Sequence, residues 1–230
     1  MATNASRPTD GAGPVRVILR PVGTPTAIGL GAIMIGTTML SGLQLQWLSG
    51  RPEQQTVAIV GIAAAFPLEL IAAIFALLAR DALAGTGLAI FSTIWSVSGI
   101  TLLTGPVGGT NDALGMFLIL GAIALGLLLI SAGRSRLVFG VIIVIGSIRL
   151  LLTGLYEIEA TTGLEHAAGI VGLVLAAACA YGIVALLQED LPRRSFLPVG
   201  RSGRGASSIR GALGEQLDDL EHEAGVRRLL

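Results

Sequence analysis

Six long apolar stretches, joined by short connections, constrain this chain more than any other feature. Each has the ~20 residues that an α-helix needs to cross a bilayer at about 1.5 Å per residue. We therefore predict an all-α, polytopic membrane protein whose six transmembrane helices form a compact bundle. The predicted helices are Ala27–Trp47, Thr56–Leu78, Ala82–Leu103, Ala113–Ala132, Leu137–Tyr156 and Ala167–Leu187. The predicted connections are Leu48–Gln55, Ala79–Asp81, Thr104–Asp112, Gly133–Arg136 and Glu157–His166.

The arginines predict how the chain is oriented in the membrane. All 15 basic residues are arginines, and the sequence has no lysine. With the six helices above, Arg51 lies on one side, Arg149 lies within the fifth helix, and the other 13 lie on the opposite side. Because cytoplasmic segments carry the excess of basic residues, we predict that both termini are cytoplasmic. The first helix then serves as the targeting signal, since Met1–Pro25 has no apolar core of its own.

Composition divides the chain into three parts. Hydrophobic residues make up 53% and charged residues 13%, whereas a soluble domain has roughly 25% charged residues. We predict a disordered cytoplasmic tail over residues 1–26, a six-helix membrane domain over 27–188, and a cytoplasmic tail over 189–230. Residues 209–230 alternate charge with Leu and Val, and either form a short amphipathic helix or remain a solvated segment.

The sequence contains no recognisable catalytic constellation. It has no nucleophile elbow, no Gly-rich phosphate loop before a Lys, and no His or Cys cluster with metal-ligand spacing. The two histidines, His166 and His222, lie at a helix entrance and in the C-terminal tail. We therefore predict that the chain is not an enzyme, and that it has no cofactor, no metal site and no nucleic-acid partner.

Two ionisable residues lie inside the predicted helices, Glu69 in the second and Arg149 in the fifth. Charged groups are costly in hydrocarbon, so each should face protein, water or a partner. Three interpretations are open. The two residues pair with each other; or each is satisfied separately by backbone carbonyls or subunit contacts; or they act in transport, Arg149 by attracting an anion and Glu69 by coupling to protons.

Hydroxyl side chains recur in the first and third helices. They either bond to the preceding turn of their own helix or line a narrow path for an anion or for water. We treat five of them as candidate residues of a substrate pathway: Thr37, Thr38, Ser92, Thr93 and Ser96.

Three short motifs carry a resemblance to a known family. The first helix opens with Thr24-Pro25-Thr26-Ala27-Ile28-Gly29-Leu30, the third contains Gly87-Leu88-Ala89-Ile90-Phe91, and Leu197-Pro198-Val199-Gly200 follows the sixth. With six helices in the same order over about residues 22–200, the chain resembles the acetate uptake transporters. These include the bacterial succinate–acetate permeases (YaaH-like) and the fungal acetate permeases. The shared motif positions are Pro25, Gly29, Leu30, Gly87, Leu88, Phe91, Leu197, Pro198 and Gly200.

The resemblance implies a homohexamer in which each protomer encloses its own pore. It also implies passage of acetate and similar small monocarboxylates, with succinate as a further substrate and with coupling to protons. The family's apolar constriction of Phe, Tyr and Leu falls at Ile33, Ile94 and Leu151, and its paired threonines fall at Thr37 and Thr38. Isoleucines can still gate by dewetting, but they lack the phenolic hydroxyl. Arg149 is not part of the family pattern.

Three functions follow in order of preference. The first is a channel or transporter for acetate and related small carboxylate anions, in the bilayer of the cell (inner or plasma) membrane. The second is a channel for small neutral solutes such as ammonia, urea or short amides. The third is a membrane scaffold that transports nothing and works through its cytoplasmic tail.

Overall fold

The computed structural model describes residues 23–132, 137–189, 197, 198 and 200. Within these ranges it has six helices long and apolar enough to cross a membrane, and no strand. The first to sixth helices are Thr26–Gln44, Arg51–Leu78, Ala82–Thr104, Asp112–Ala132, Leu137–Glu159 and Thr162–Glu189. The predicted all-α membrane fold is therefore confirmed. The two predicted tails and the connection Gly133–Arg136 lie almost wholly outside the described residues.

The six helices form a closed ring in chain order. Each helix packs against the next one along the chain, and the sixth packs against the first. Side chains that face into the ring are large and apolar, such as Leu30, Leu88 and Leu175, which are all but fully buried. Apolar side chains also cover the outside, where Ile74 and Leu120 are exposed. An apolar exterior suits contact with lipid, so the ring is held by close packing rather than by excluding water.

The first helix ends three residues earlier than predicted, at Gln44 rather than at Trp47. The backbone N–H groups of Trp47 and Leu48 both donate to the carbonyl of Gly42, and Gln46 has a positive φ of 59°. These bonds close the helix with a tight turn of the Schellman type. Hydropathy alone could not predict this end, because the apolar stretch continues through the turn.

The second and sixth helices begin five residues earlier than predicted. Arg51 starts the second helix after Gly50, whose φ is 95°, and Pro52 fits the first helical turn because it needs no donor there. Thr162 starts the sixth helix, so that only residues 160 and 161 separate it from the fifth, which itself extends to Glu159. The added turns are polar and extend both helices beyond the apolar stretches that predicted them.

The second helix is not regular throughout. Residues Gly61–Ala65 form a π-helical turn, in which the N–H of Phe66 donates to the carbonyl of Gly61, five residues earlier. Pro67 follows directly and cannot supply the α-helical donor to the carbonyl four residues before it. Such turns are frequent at functional sites, and Gly61 borders the cavity described below.

Candidate functional site

A cavity of about 290 Å³ lies inside the ring, at the end formed by the connections after the first and third helices. At roughly 30 Å³ per water molecule, it has room for about ten waters or for a small solute with part of its hydration. Exposed residues such as Gln46 and Thr110 border it at one end, and Ile94 and Arg149 border it near the middle of the ring. It is therefore a vestibule that leads from the surface to mid-depth.

The mouth of this vestibule is held by side chains of the second helix. Arg51 donates to the carbonyls of Gly105 and Leu103. The Nε2 of Gln54 donates to Leu102 O at 2.8 Å, while its Oε1 accepts from the N–H of Gly108 at 3.3 Å. These bonds fix the connection between the third and fourth helices over the cavity. The sequence predicted this connection as a loop but not the residues that hold it.

Two acidic side chains border the cavity at the mouth. Glu157 Oε2 accepts a hydrogen bond from the N–H of Asn111 at 2.8 Å, and Glu165 Oε1 accepts one from Gln46 Nε2 at 3.1 Å. Arg51 stands at the same end of the ring, but its guanidinium bonds to backbone carbonyls and it does not border the cavity. The mouth therefore carries negative charge.

The inner end of the vestibule is apolar. Phe91 and Ile94 of the third helix and Leu150 of the fifth border it, and each is at most 5% exposed. Ile33 does not border the cavity, but it is buried in the same core. Counted from the helix ends on the vestibule side, Ile33 lies 11 residues from Gln44 and Ile94 lies 10 residues from Thr104, which places both at about 15 Å depth. The two isoleucines therefore stand at one level, where the cavity ends.

The other predicted pathway residues lie away from the cavity. Thr38 and Thr93 are exposed on the outside of the ring and donate to the carbonyls of Met34 and Ile90 in their own helices. Leu151 is also exposed, at 42%, and the preceding Leu150 faces the cavity instead. Ser92 is buried against the second helix, where it donates to Phe66 O at 3.3 Å, and Ser96 is half-buried. Among the predicted pathway residues, Ile94 alone borders the cavity.

Glu69 and Arg149 do not pair with each other. Glu69 is fully buried, and its Oε1 accepts a hydrogen bond from Trp95 Nε1 at 2.8 Å. Its second oxygen, Oε2, has no partner. Arg149 lies in a different surrounding, on the wall of the vestibule. The structure therefore excludes one of the three interpretations that the sequence left open, the pairing of Glu69 with Arg149.

Arg149 belongs to a buried polar cluster between the first, fifth and sixth helices. Its Nη2 reaches Thr37 O at 3.5 Å, and its Nε has no partner. Thr37 Oγ1, Ser41 Oγ and Gln44 Oε1 are likewise buried without partners. The sequence did not predict Ser41 or Gln44 as site residues. Their spacing from Thr37, by four and then three residues, was the available signal, because it gives one helix face.

The resemblance motifs lie near the opposite end of the ring from the vestibule. A Cβ added to Gly29 would lie 2.8 Å from Leu88 Cδ1, so the motif of the first helix and the motif of the third helix are in direct contact. Tyr181 Oη donates to Pro198 O at 2.8 Å, and the carbonyl of Gly200 accepts from Leu137 N–H at 3.2 Å. Of the shared motif positions, Phe91 alone borders the cavity, and the others pack the bundle.

Comparison with known proteins adds three findings. The profile of the GPR1/FUN34/yaaH family matches residues 11–199. No curated protein matches the chain. Among solved structures, the bacterial acetate channel SatP is similar, with a TM-score of 0.68 and 18% sequence identity, over 78% of this chain and 99% of that one. At this identity the likeness concerns the fold.

Proposed function

The chain belongs to the GPR1/FUN34/yaaH family, and on this premise we propose that it is a channel or transporter for acetate and similar small monocarboxylates. The membership confirms the resemblance that the sequence motifs predicted. The observation that carries the proposal is the vestibule inside the ring, which ends on the apolar residues Phe91 and Ile94 beside a buried arginine. The fold shared with a protein titled an acetate channel supports the same substrate.

The dimensions of the vestibule favour a small solute. A cavity of about 290 Å³ accepts an anion of a few heavy atoms together with several waters. Below it, Ile94 lies in contact distance of the fourth helix, since a Cβ added to Gly121 would be 3.0 Å from Ile94 Cδ1. An apolar narrowing of this kind opposes ions through the cost of dehydration and can gate by wetting and dewetting. The rate of passage then depends on the free energy needed to remove water from one small carboxylate.

Several finer features belong to the proposal. It includes coupling to protons, succinate as a further substrate, a homohexamer, and residence in the inner or plasma membrane. It also includes cytoplasmic termini, which the arginine asymmetry supports. A cysteine introduced at Ser49 should react with a membrane-impermeant maleimide added outside intact cells, whereas one at Ala79 should not. The opposite pattern would reverse the orientation.

The test is uptake of radiolabelled acetate into proteoliposomes, with and without an inward proton gradient. We expect uptake that rises with the gradient and falls at least tenfold in Ile94→Trp, because the larger side chain fills the narrowing. Ile100→Trp is the matched control, since Ile100 lies on the same helix but is 52% exposed on the outside. Its uptake should equal that of the wild type.

Two results would replace the proposal. Urea permeation without acetate uptake would indicate a channel for neutral solutes. No permeation of either solute by folded protein, together with loss of function in cells on deletion of residues 201–230, would indicate a scaffold. In that case substitutions at Ile33 and Ile94 should have no effect.

A further inference from the structure

We propose that Arg149 binds the carboxylate group of a small monocarboxylate on the wall of the vestibule, with Ser41 and Gln44 completing the site. The inference rests on the proposed transport function and names the residues that would select its substrate. The family resemblance predicts Thr37 beside this site but does not predict Arg149, Ser41 or Gln44.

Arg149 is a buried cation without a counter-ion. Its side chain is 3% exposed and borders the vestibule. One long hydrogen bond, from Nη2 to Thr37 O at 3.5 Å, is all that its guanidinium has among the described residues, and Nε has none. Arginine keeps its charge in proteins, and burying an unpaired charge is costly. An anion entering the vestibule would supply the missing partner.

No acidic side chain of the described chain fills this role. The buried Glu69 accepts a hydrogen bond from Trp95 Nε1 and has no contact with Arg149 among the hydrogen bonds of the described residues. Glu157 and Glu165 border the same cavity, but they accept from Asn111 and Gln46 at its mouth. Arg149 therefore places an unpaired positive charge on the wall of the vestibule, although the entrance of the vestibule is negative.

The first helix adds neutral polar groups next to Arg149, and of these Gln44 borders the vestibule. Ser41 Oγ and Thr37 Oγ1 are fully buried and have no partner. Gln44 borders the vestibule, and its Nε2 reaches Thr153 Oγ1 at the long distance of 3.4 Å. Hydroxyl and amide groups can turn their hydrogens toward an anion. The guanidinium, hydroxyl and amide groups present here are thus hydrogen-bond donors that can bind a carboxylate.

Gly172 of the sixth helix leaves the space for the guanidinium. A Cβ added there would lie 2.6 Å from Arg149 Nε and 3.2 Å from its Nη2, and it would also meet Ser41 Oγ. Arg149 and Ser41 therefore lie side by side against this glycine. Any larger residue would push the guanidinium from its place.

The surroundings favour a monocarboxylate with a short apolar end. A planar guanidinium matches the two oxygens of one carboxylate. One arginine neutralises one negative charge, and no second basic residue of the described chain borders the cavity. Ile94 and Leu150 beside it offer an apolar surface to a methyl group. A dicarboxylate such as succinate would leave its second charge without a partner, so we expect it to bind this site more weakly than acetate.

The test measures acetate binding to the purified full-length chain in detergent micelles. Binding is detected by NMR saturation transfer from the protein to the acetate methyl protons. We expect Arg149→Gln to weaken binding by about 10- to 100-fold, the range for a hydrogen bond to a charged group. Acetamide, which has the same shape without the charge, should not compete. Ser41→Ala should weaken binding several-fold, whereas Ser147→Ala should not, since Ser147 bonds to Ile143 O in its own helix.

Three results would overturn the site: no saturation transfer in the wild type, equal affinity in Arg149→Gln, or competition by chloride as strong as that by acetate. If size-exclusion chromatography shows that Arg149→Gln does not fold, acetate binding is measured in Ser41→Ala and Gly172→Ala instead. Unchanged affinity in both variants would overturn the site. Uptake assays separate this inference from the proposed function. Binding that needs Arg149 without any uptake would sink the transport proposal alone, and normal uptake and binding in Arg149→Gln would sink the site alone.

Discussion

At the scale of single residues, Glu69 shows how this fold tolerates an acid among apolar helices. Its buried Oε1 accepts from Trp95 Nε1 at 2.8 Å. We predict that Trp95→Phe lowers the free energy of unfolding by about 1–3 kcal/mol, the cost of leaving a buried polar group unsatisfied. Thermal unfolding in detergent micelles measures the effect. Trp47→Phe is the control, because Trp47 is 68% exposed, and equal midpoints for the two variants would contradict the prediction.

The sequence predicted which charges are buried, but not what they bond to. An ionisable residue inside an apolar stretch is visible by position alone, as Glu69 and Arg149 were. Partners depend on which helix faces meet. Trp95 lies 26 residues from Glu69, and the Thr37 carbonyl lies 112 residues from Arg149. Those separations close only once the ring has formed, so helical spacing could not predict them.

At the scale of helices, contact between the second and third depends on glycine. A Cβ added to Gly99 would lie 2.6 Å from Ile62 Cγ1 and 3.0 Å from the carbonyl of Ala58. We predict that Gly99→Ala lowers the free energy of unfolding by about 1–3 kcal/mol, as overpacking does in close-packed interiors. Gly126→Ala is the matched control, because nothing lies within 4 Å of its added Cβ. Denaturant titration in mixed micelles should separate the two variants, and indistinguishable curves would refute the prediction.

Helix existence could be predicted from the sequence more readily than helix ends or helix faces. Apolar length predicted all six helices because crossing a bilayer requires it. The polar first turns at Arg51 and Thr162 were missed, since hydrogen bonds and not hydropathy extend those helices. Thr93 and Leu151 were assigned to the pathway, yet both lie on the outside. An apolar outer face resembles an apolar inner face, so hydropathy cannot say which one faces the pore.

At the scale of the whole molecule, the six helices of the ring together enclose a space that no single helix could form. Its two ends differ in what they hold. One end contains the vestibule, whereas the other is packed by the contact of Gly29 with Leu88 and by the Pro198 and Gly200 backbone. Buried apolar side chains at mid-depth, Ile33 and Ile94 among them, separate the two ends, as a channel or transporter requires when it is closed. Transport through the ring would therefore need movement near Ile94.

The charge pattern of the vestibule predicts how salt affects entry of an anion. Glu157 and Glu165 are half-buried at the mouth and repel a carboxylate, and charges that reach solvent act over a Debye length of about 10 Å at 0.1 M salt. We predict that the double variant Glu157→Gln, Glu165→Gln takes up acetate a few-fold faster at low ionic strength, and that the gain shrinks as salt rises. Glutamine keeps an acceptor for the Asn111 N–H and for Gln46, so the mouth should keep its shape. Glu53→Gln removes one charge at the same end of the ring without bordering the cavity, and its uptake should stay at the wild-type rate. Slower uptake in the double variant would instead mean that these acids help the substrate enter, as they would for a protonated or cationic solute.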